Sequence, residues 1–112
     1  KTLFPYTTLF RSNFHAAKID DSFSLSDQAL TTLAYYVRNK EGLVMGMSSM
    51  LNLAGAFKKA LSVPKGSRIA TFMCDGGDRA MAKMYNPDFL KEKNLDSTIV
   101  NDQELLDYFQ NL

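Results

Sequence analysis

The sequence predicts an α/β fold, and three observations carry that prediction. Apolar residues recur at helical spacing over residues 27–40. A second helix-length stretch, to about residue 61, is apolar around most of its circumference. Residues 68–74 then form a nearly continuous apolar run of strand length that ends in a glycine-rich loop. A strand apolar on both faces, set among helices, is the pattern of a parallel sheet with helices packed on it. Ligands of such folds gather at the carboxyl ends of strands. Attention therefore falls on residues 74–79 and on the turn at Gly46.

Each element has a local reason. Ser22, Phe23, Ser24 and Leu25 alternate polar and apolar and predict a short strand. Ser26 is placed to cap the first helix, with Asp27 in the first turn where the dipole favours a carboxylate. Leu30, Leu33, Ala34 and Val37 form its apolar stripe, and Gly42 ends it. Leu43, Val44 and Met45 make a brief extended link. Ser48 or Ser49 is expected to cap the second helix, whose Met50, Leu51, Leu53, Ala54, Ala56, Phe57 and Ala60 predict burial. Pro64, Lys65 and Gly66 make a turn. After the predicted strand 68–74 comes a tight loop at Asp75, Gly76, Gly77 and Asp78. A helix over 79–84 follows, and Asn86-Pro87 opens another over 88–93. Asp102 is expected to cap a last helix over 103–109 that carries Leu105, Leu106 and Phe109.

The opening stretch, KTLFPYTTLFRS, stands apart. As a strand it would be confined to an edge by Pro5. It is too short for a transit peptide and lacks the apolar segment and cleavage site of a secretory signal. Residues 2–12 look instead like the translation, in one frame, of an adapter oligonucleotide used in short-read sequencing. We therefore read 1–12 as non-native, 13–95 as part of one domain and 96–112 as a C-terminal tail with a short helix. On that reading the chain is a C-terminal fragment of a longer product.

Composition narrows the function classes. The whole chain has 13 basic and 12 acidic residues; without Lys1 and Arg11 the balance is 11 to 12, net −1. No basic stripe remains to suggest nucleic acid or an anionic membrane, and no apolar run approaches the roughly 20 residues of a membrane span. A single cysteine, Cys74, fits a reducing compartment, which points to the cytoplasm and leaves a mitochondrial location open. Cys74 itself reads as a buried apolar residue, and Met45, Met47, Met50 and Met73 as core filler. Asp75 and Asp78 supply too few oxygens for calcium, so no metal site is expected. His15 has no readable catalytic partner, and the lysines read as solvated surface charges.

Three strings carry a family pattern: IDDSFSLSDQALTTLAYYVRNKEG, EGLVMGMSSMLNLAGAFKKA and GSRIATFMCDGGDRAMAKMYNPDFLKEKNL. In this order they resemble the C-terminal part of cysteine synthases, pyridoxal-phosphate enzymes of the tryptophan-synthase-β-like fold. The resemblance covers about residues 13–95. It implies the C-terminal part of a three-layer αβα domain with mostly parallel strands. For the parent it implies β-replacement on an O-activated serine by sulfide, pyridoxal 5'-phosphate as cofactor, a small amino-acid substrate and a homodimer.

The family's Schiff-base lysine motif, asparagine loop and glycine-threonine phosphate loop are not found here, so the chain alone is expected to be inactive. Two features carry over by resemblance. Gly46, in a Gly-x-Ser turn, matches a position near the cofactor, or else simply permits an unusual backbone angle. The loop after the strand commonly reads Ser-Gly-Glu/Asp-Arg and reads Gly76-Gly77-Asp78-Arg79 here, so the hydroxyl that meets the pyridine nitrogen in the family is missing at Gly76. Either Asp75, the backbone or a water then meets the ring nitrogen, or the nitrogen is left unpaired; Asp78 and Arg79 are expected to pair. The rival reading is a small stand-alone α/β binding or interaction module without catalysis.

Overall fold

The computed structural model describes residues 15–112, apart from the side chain of Arg79. The stretch read as an adapter lies outside the described residues. Helix α1 spans Asp27–Glu41, α2 Met47–Ala60, α3 Pro87–Glu92 and α4 Asp102–Gln110, with a 3-10 turn at Gly77–Ala80.

α1 begins and ends where its sequence dictates. The Ser26 hydroxyl accepts from the Ala29 N–H, and Gly42 closes the helix at φ 68°, a left-handed angle that glycine adopts without a Cβ penalty. Ala29, Leu30, Leu33, Ala34, Tyr35 and Val37 are buried, and α1 packs on both α2 and α4. α3 starts as expected, with Pro87 in the first turn and the Asn86 side chain accepting from the Asp88 N–H. α4 starts one residue earlier than expected. Its cap is Asn101, in a reciprocal capping box with Glu104, and Asp102 is the first helical residue.

The tail set apart in the sequence belongs to the same core. Leu105 and Phe109 are buried, and the Phe109 ring meets Phe57 edge-on at 4.8 Å between centroids. The connection into α4 is fastened to α1 twice. Gln28 exchanges hydrogen bonds with the Asp96 backbone, both at 2.8 Å. The Asp102 carboxylate accepts from Tyr36 at 2.6 Å and pairs with Lys40 at 3.2 Å.

The expected sheet is not present among the described residues. Residues 22–25 and 68–74 are irregular, and the only bridge is a single antiparallel one between Met45 and Gly76. The run 68–74 is exposed throughout, with Phe72 at 81 % and Met73 at 60 %. The physical reason is that a strand apolar on both faces needs neighbouring strands. Here no strand lies beside it among the described residues; α2 flanks it, with Asn52 donating to the Phe72 carbonyl at 3.0 Å. Cys74 is exposed with it, against the buried position expected. Met45 and Met50 fill the core as expected, whereas Met47 and Met73 face outward.

Candidate functional site

The three residues singled out in the sequence, Gly46, Asp75 and Gly76, come together where the 75–77 loop crosses the start of α2. The Gly46 N–H donates to the Asp75 carbonyl at 3.2 Å, and the Gly77 N–H donates to the Val44 carbonyl at 3.0 Å. These bonds flank the Met45–Gly76 bridge. The Met45 side of this crossing is held by a tilted pair of tyrosines. Tyr85 donates to the Met45 carbonyl at 2.9 Å, Tyr35 donates to the Met84 carbonyl at 3.1 Å, and the Arg38 guanidinium lies 4.6 Å from the Tyr35 ring centre. Burial pushes the Tyr85 phenol above its ordinary pKa and keeps it a neutral donor.

Glycine is required at two of these positions by close approach rather than by backbone angle. Gly46 has φ −68°, open to any residue, so the unusual angle considered for it is not found. A Cβ there would collide with the Asp75 carboxylate, and a Cβ at Gly77 would collide with the Val44 side chain. Gly76 differs: a Cβ there would meet nothing within 4 Å.

Neither Ser48 nor Ser49 is the cap of α2. Gly46 holds that place and has no side chain to cap with, so the first N–H groups rely on what lies nearby. The half-buried Asp75 carboxylate lies against this end, where the helix dipole favours negative charge. Ser49, inside the helix and buried, fastens Asp75 instead. Its hydroxyl accepts from the Asp75 N–H at 3.1 Å and donates to the Asp75 carbonyl at 3.0 Å, with Oδ1 at 3.4 Å.

Ser49 is the residue that sequence reasoning misassigned. The signal was legible: Ser49 and Asn52 stand three apart on a largely apolar helix, and both reach the 72–75 segment. The expected Asp78–Arg79 pair rests on a side chain outside the described ones.

Beside Asp75 lies an open cleft of about 120 Å³ lined by Met47, Ser48, Asp75, Ala80 and Lys83. Ligand sites commonly measure about 300–1,000 Å³. The cleft is therefore part of a site at most, one wall with a carboxylate, a hydroxyl and an ammonium on it.

Comparison with known proteins bears on that wall. Cysteine synthase 2 of Schizosaccharomyces pombe is 35% identical over 85 residues, covering 74% of this chain and 22% of that protein. Cysteine synthase 1 of Neurospora crassa is 35% identical over 77 residues, 69% of this chain and 20% of the relative. The cysteine synthase of Dictyostelium discoideum is 33% identical over 82 residues, 73% and 22% respectively. The matched part of the chain is similar to cysteine synthases. It spans about a fifth of the length of these relatives. No family model matches it. The likeness carries an α/β class with it, although the regular structure of the described residues is helical apart from one isolated bridge. A putative mitochondrial cysteine synthase of Saccharomyces cerevisiae is also similar, at 33% identity over 75 residues. No helix among the described residues is long and apolar enough to cross a membrane.

Proposed function

We propose that this chain is the C-terminal segment of a pyridoxal-phosphate-dependent cysteine synthase, and that it supplies one wall of the cofactor site. The carrying observation is the meeting of Gly46, Asp75 and Gly76 at the start of α2. Gly46 and Gly76 are positions that the sequence resemblance puts near the cofactor, Asp75 adjoins the second, and Gly46 is distant in the chain from both. Residues 68–74 are, on this reading, a strand of a mostly parallel sheet in a three-layer domain, and its neighbours come from elsewhere in the parent. Their exposure here favours this reading over that of a stand-alone module, which would cover so apolar a run itself.

The residues fit the cofactor as a wall and not as a complete holder. Asp75 is the group that would face the pyridine nitrogen, and the space open at Gly76 leaves room for the ring's approach. When bound, the cofactor supplies an electron sink for replacing the β-substituent of an O-activated serine by sulfide. The chain's own residues position and orient. Ser49 and the Gly46 N–H hold the Asp75 backbone, while α2 offers its positive end beside the carboxylate. The parent acts on a small amino acid in the cytoplasm as a homodimer, with no nucleic-acid or membrane partner.

The test has two arms. Pyridoxal phosphate added to this chain is expected to give no absorbance that survives dialysis; a stable lysine-linked signal overturns the one-wall reading. In the full-length parent, Asp75→Ala is expected to change the cofactor spectrum and the rate. An unchanged spectrum and rate remove Asp75 from the site.

A further inference from the structure

Met47 stands between two spaces. On one side is the cleft beside Asp75. On the other is a largely enclosed cavity of about 50 Å³, walled by Leu30, Thr31, Met84, Phe89 and Leu95. Among the described residues Met47 is the only one that lines both.

Its position suits a movable side chain. Met47 is the first residue of α2, directly after Gly46, so no preceding helical turn restricts its χ1. The side chain is unbranched, with three rotatable bonds that adapt to irregular gaps. It is 38 % exposed, whereas Leu30 and Met84 across the cavity are buried. The cavity favours the side chain as an occupant. A void walled mainly by apolar groups leaves its lining short of contacts, and such voids stay dry. At about 50 Å³ it is several times the roughly 10–15 Å³ that admits one water, and so takes a terminal S–CH3 group.

We propose that Met47 is the adjustable wall of the cleft. Its side chain has two resting places, one across the cleft and one in the cavity, and withdrawal into the cavity widens the space beside Asp75. The consequence for function rests on the reading of that cleft as one wall of the cofactor site. On that reading, Met47 sets whether the edge of the pyridine ring fits against Asp75. Leu30, Phe89 and Leu95 then act on the site without lining it, through the room they leave for Met47.

The first experiment is NMR of the full chain with 13C-labelled methionine methyls. The Met47 methyl is expected to show nuclear Overhauser contacts to both the Phe89 ring and the Ala80 methyl. Xenon, which occupies small apolar cavities, is expected to remove the Phe89 contact and leave the Ala80 contact. Only one of the two contacts before xenon overturns the proposal, as does a Phe89 contact that xenon leaves in place.

The second experiment separates this inference from the reading beneath it. In the full-length parent, the concentration of pyridoxal phosphate that half-reconstitutes the apoenzyme is read from the cofactor's absorbance. Leu95→Phe enlarges a wall of the cavity and is expected to raise that concentration about tenfold, the scale of an overpacking penalty. Met47→Ala in the same background is expected to bring most of it back, because no long side chain then needs the cavity. A Leu95→Phe effect that Met47→Ala does not relieve overturns the proposal. So does no effect of Leu95→Phe where Asp75→Ala still disturbs the cofactor, and the wall reading then stands. If Asp75→Ala also leaves the cofactor undisturbed, the wall reading falls and this role of Met47 falls with it.

Discussion

Helix α4 and the segment 68–74 both carry apolar side chains, both are short and both touch α2, yet the apolar stripe of one is buried and the other is open. Phe109 on α4 is 1 % exposed, whereas Phe72 is 81 % exposed. The difference lies in what each needs from its neighbours. A helix satisfies its own backbone and has only one stripe to cover, and α1 and α2 together cover it. A strand must find backbone partners along its edges and apolar cover on both faces, and one helix cannot provide these. Apolar composition alone therefore does not determine burial; the number of neighbours the chain can bring does.

The largest expected effect comes from setting the two phenylalanines against each other. Phe109→Ala removes a fully buried ring and its contact with Phe57, and should cost about 3–5 kcal/mol in urea unfolding. Phe72→Ala should stay within about 0.5 kcal/mol. Equal losses would break the contrast. They would mean that 68–74 is covered in solution by the chain itself.

The glycines of the site sharpen the same point on a smaller scale. Gly46→Ala drives a Cβ into the Asp75 carboxylate and should cost about 1–3 kcal/mol. Shortening Asp75 to Ala in the same chain should recover most of it. Gly76→Ser has open space and should be near neutral. A destabilised Gly76→Ser would show that the loop is tighter than the glycine environment indicates.

Smaller still is the α4 cap. Asn101→Ala breaks a reciprocal box and should cost about 1 kcal/mol. The anchor at Asp102 is fully exposed to solvent, and its effect is best read as pH dependence. Its carboxyl is held below the ordinary value of 3.8, first by the Tyr36 hydrogen bond and then by Lys40. The folded value is the lower one, so this contribution is complete above the unfolded pKa and is lost as pH falls through the folded one. Tyr36→Phe should move the Asp102 carboxyl resonance titration back towards 3.8. No change in that titration would mean that the Tyr36–Asp102 bond does not persist in solution.

The sequence by itself determined four helices and where most of them begin and end, whereas the helix expected over 79–84 is a 3-10 turn at Gly77–Ala80 followed by turns. Ser26, Gly42, Asn86 and Pro87 act through bonds and angles within a few residues, and such information is local. It also marked Gly46, Asp75 and Gly76 as belonging together. Their meeting is encoded in pattern, through the family resemblance, and not in any periodicity. Tertiary structure alone decided three things. Ser49, placed as a cap by local rules, became the clamp on Asp75, because its partner lies 26 residues away. The 96–112 tail joined the core through Gln28, Tyr36 and Phe57, none of which is near it in the chain. Residues 68–74, whose composition predicted the most buried strand of the fold, stayed open, because burial is a property of the neighbours a segment acquires.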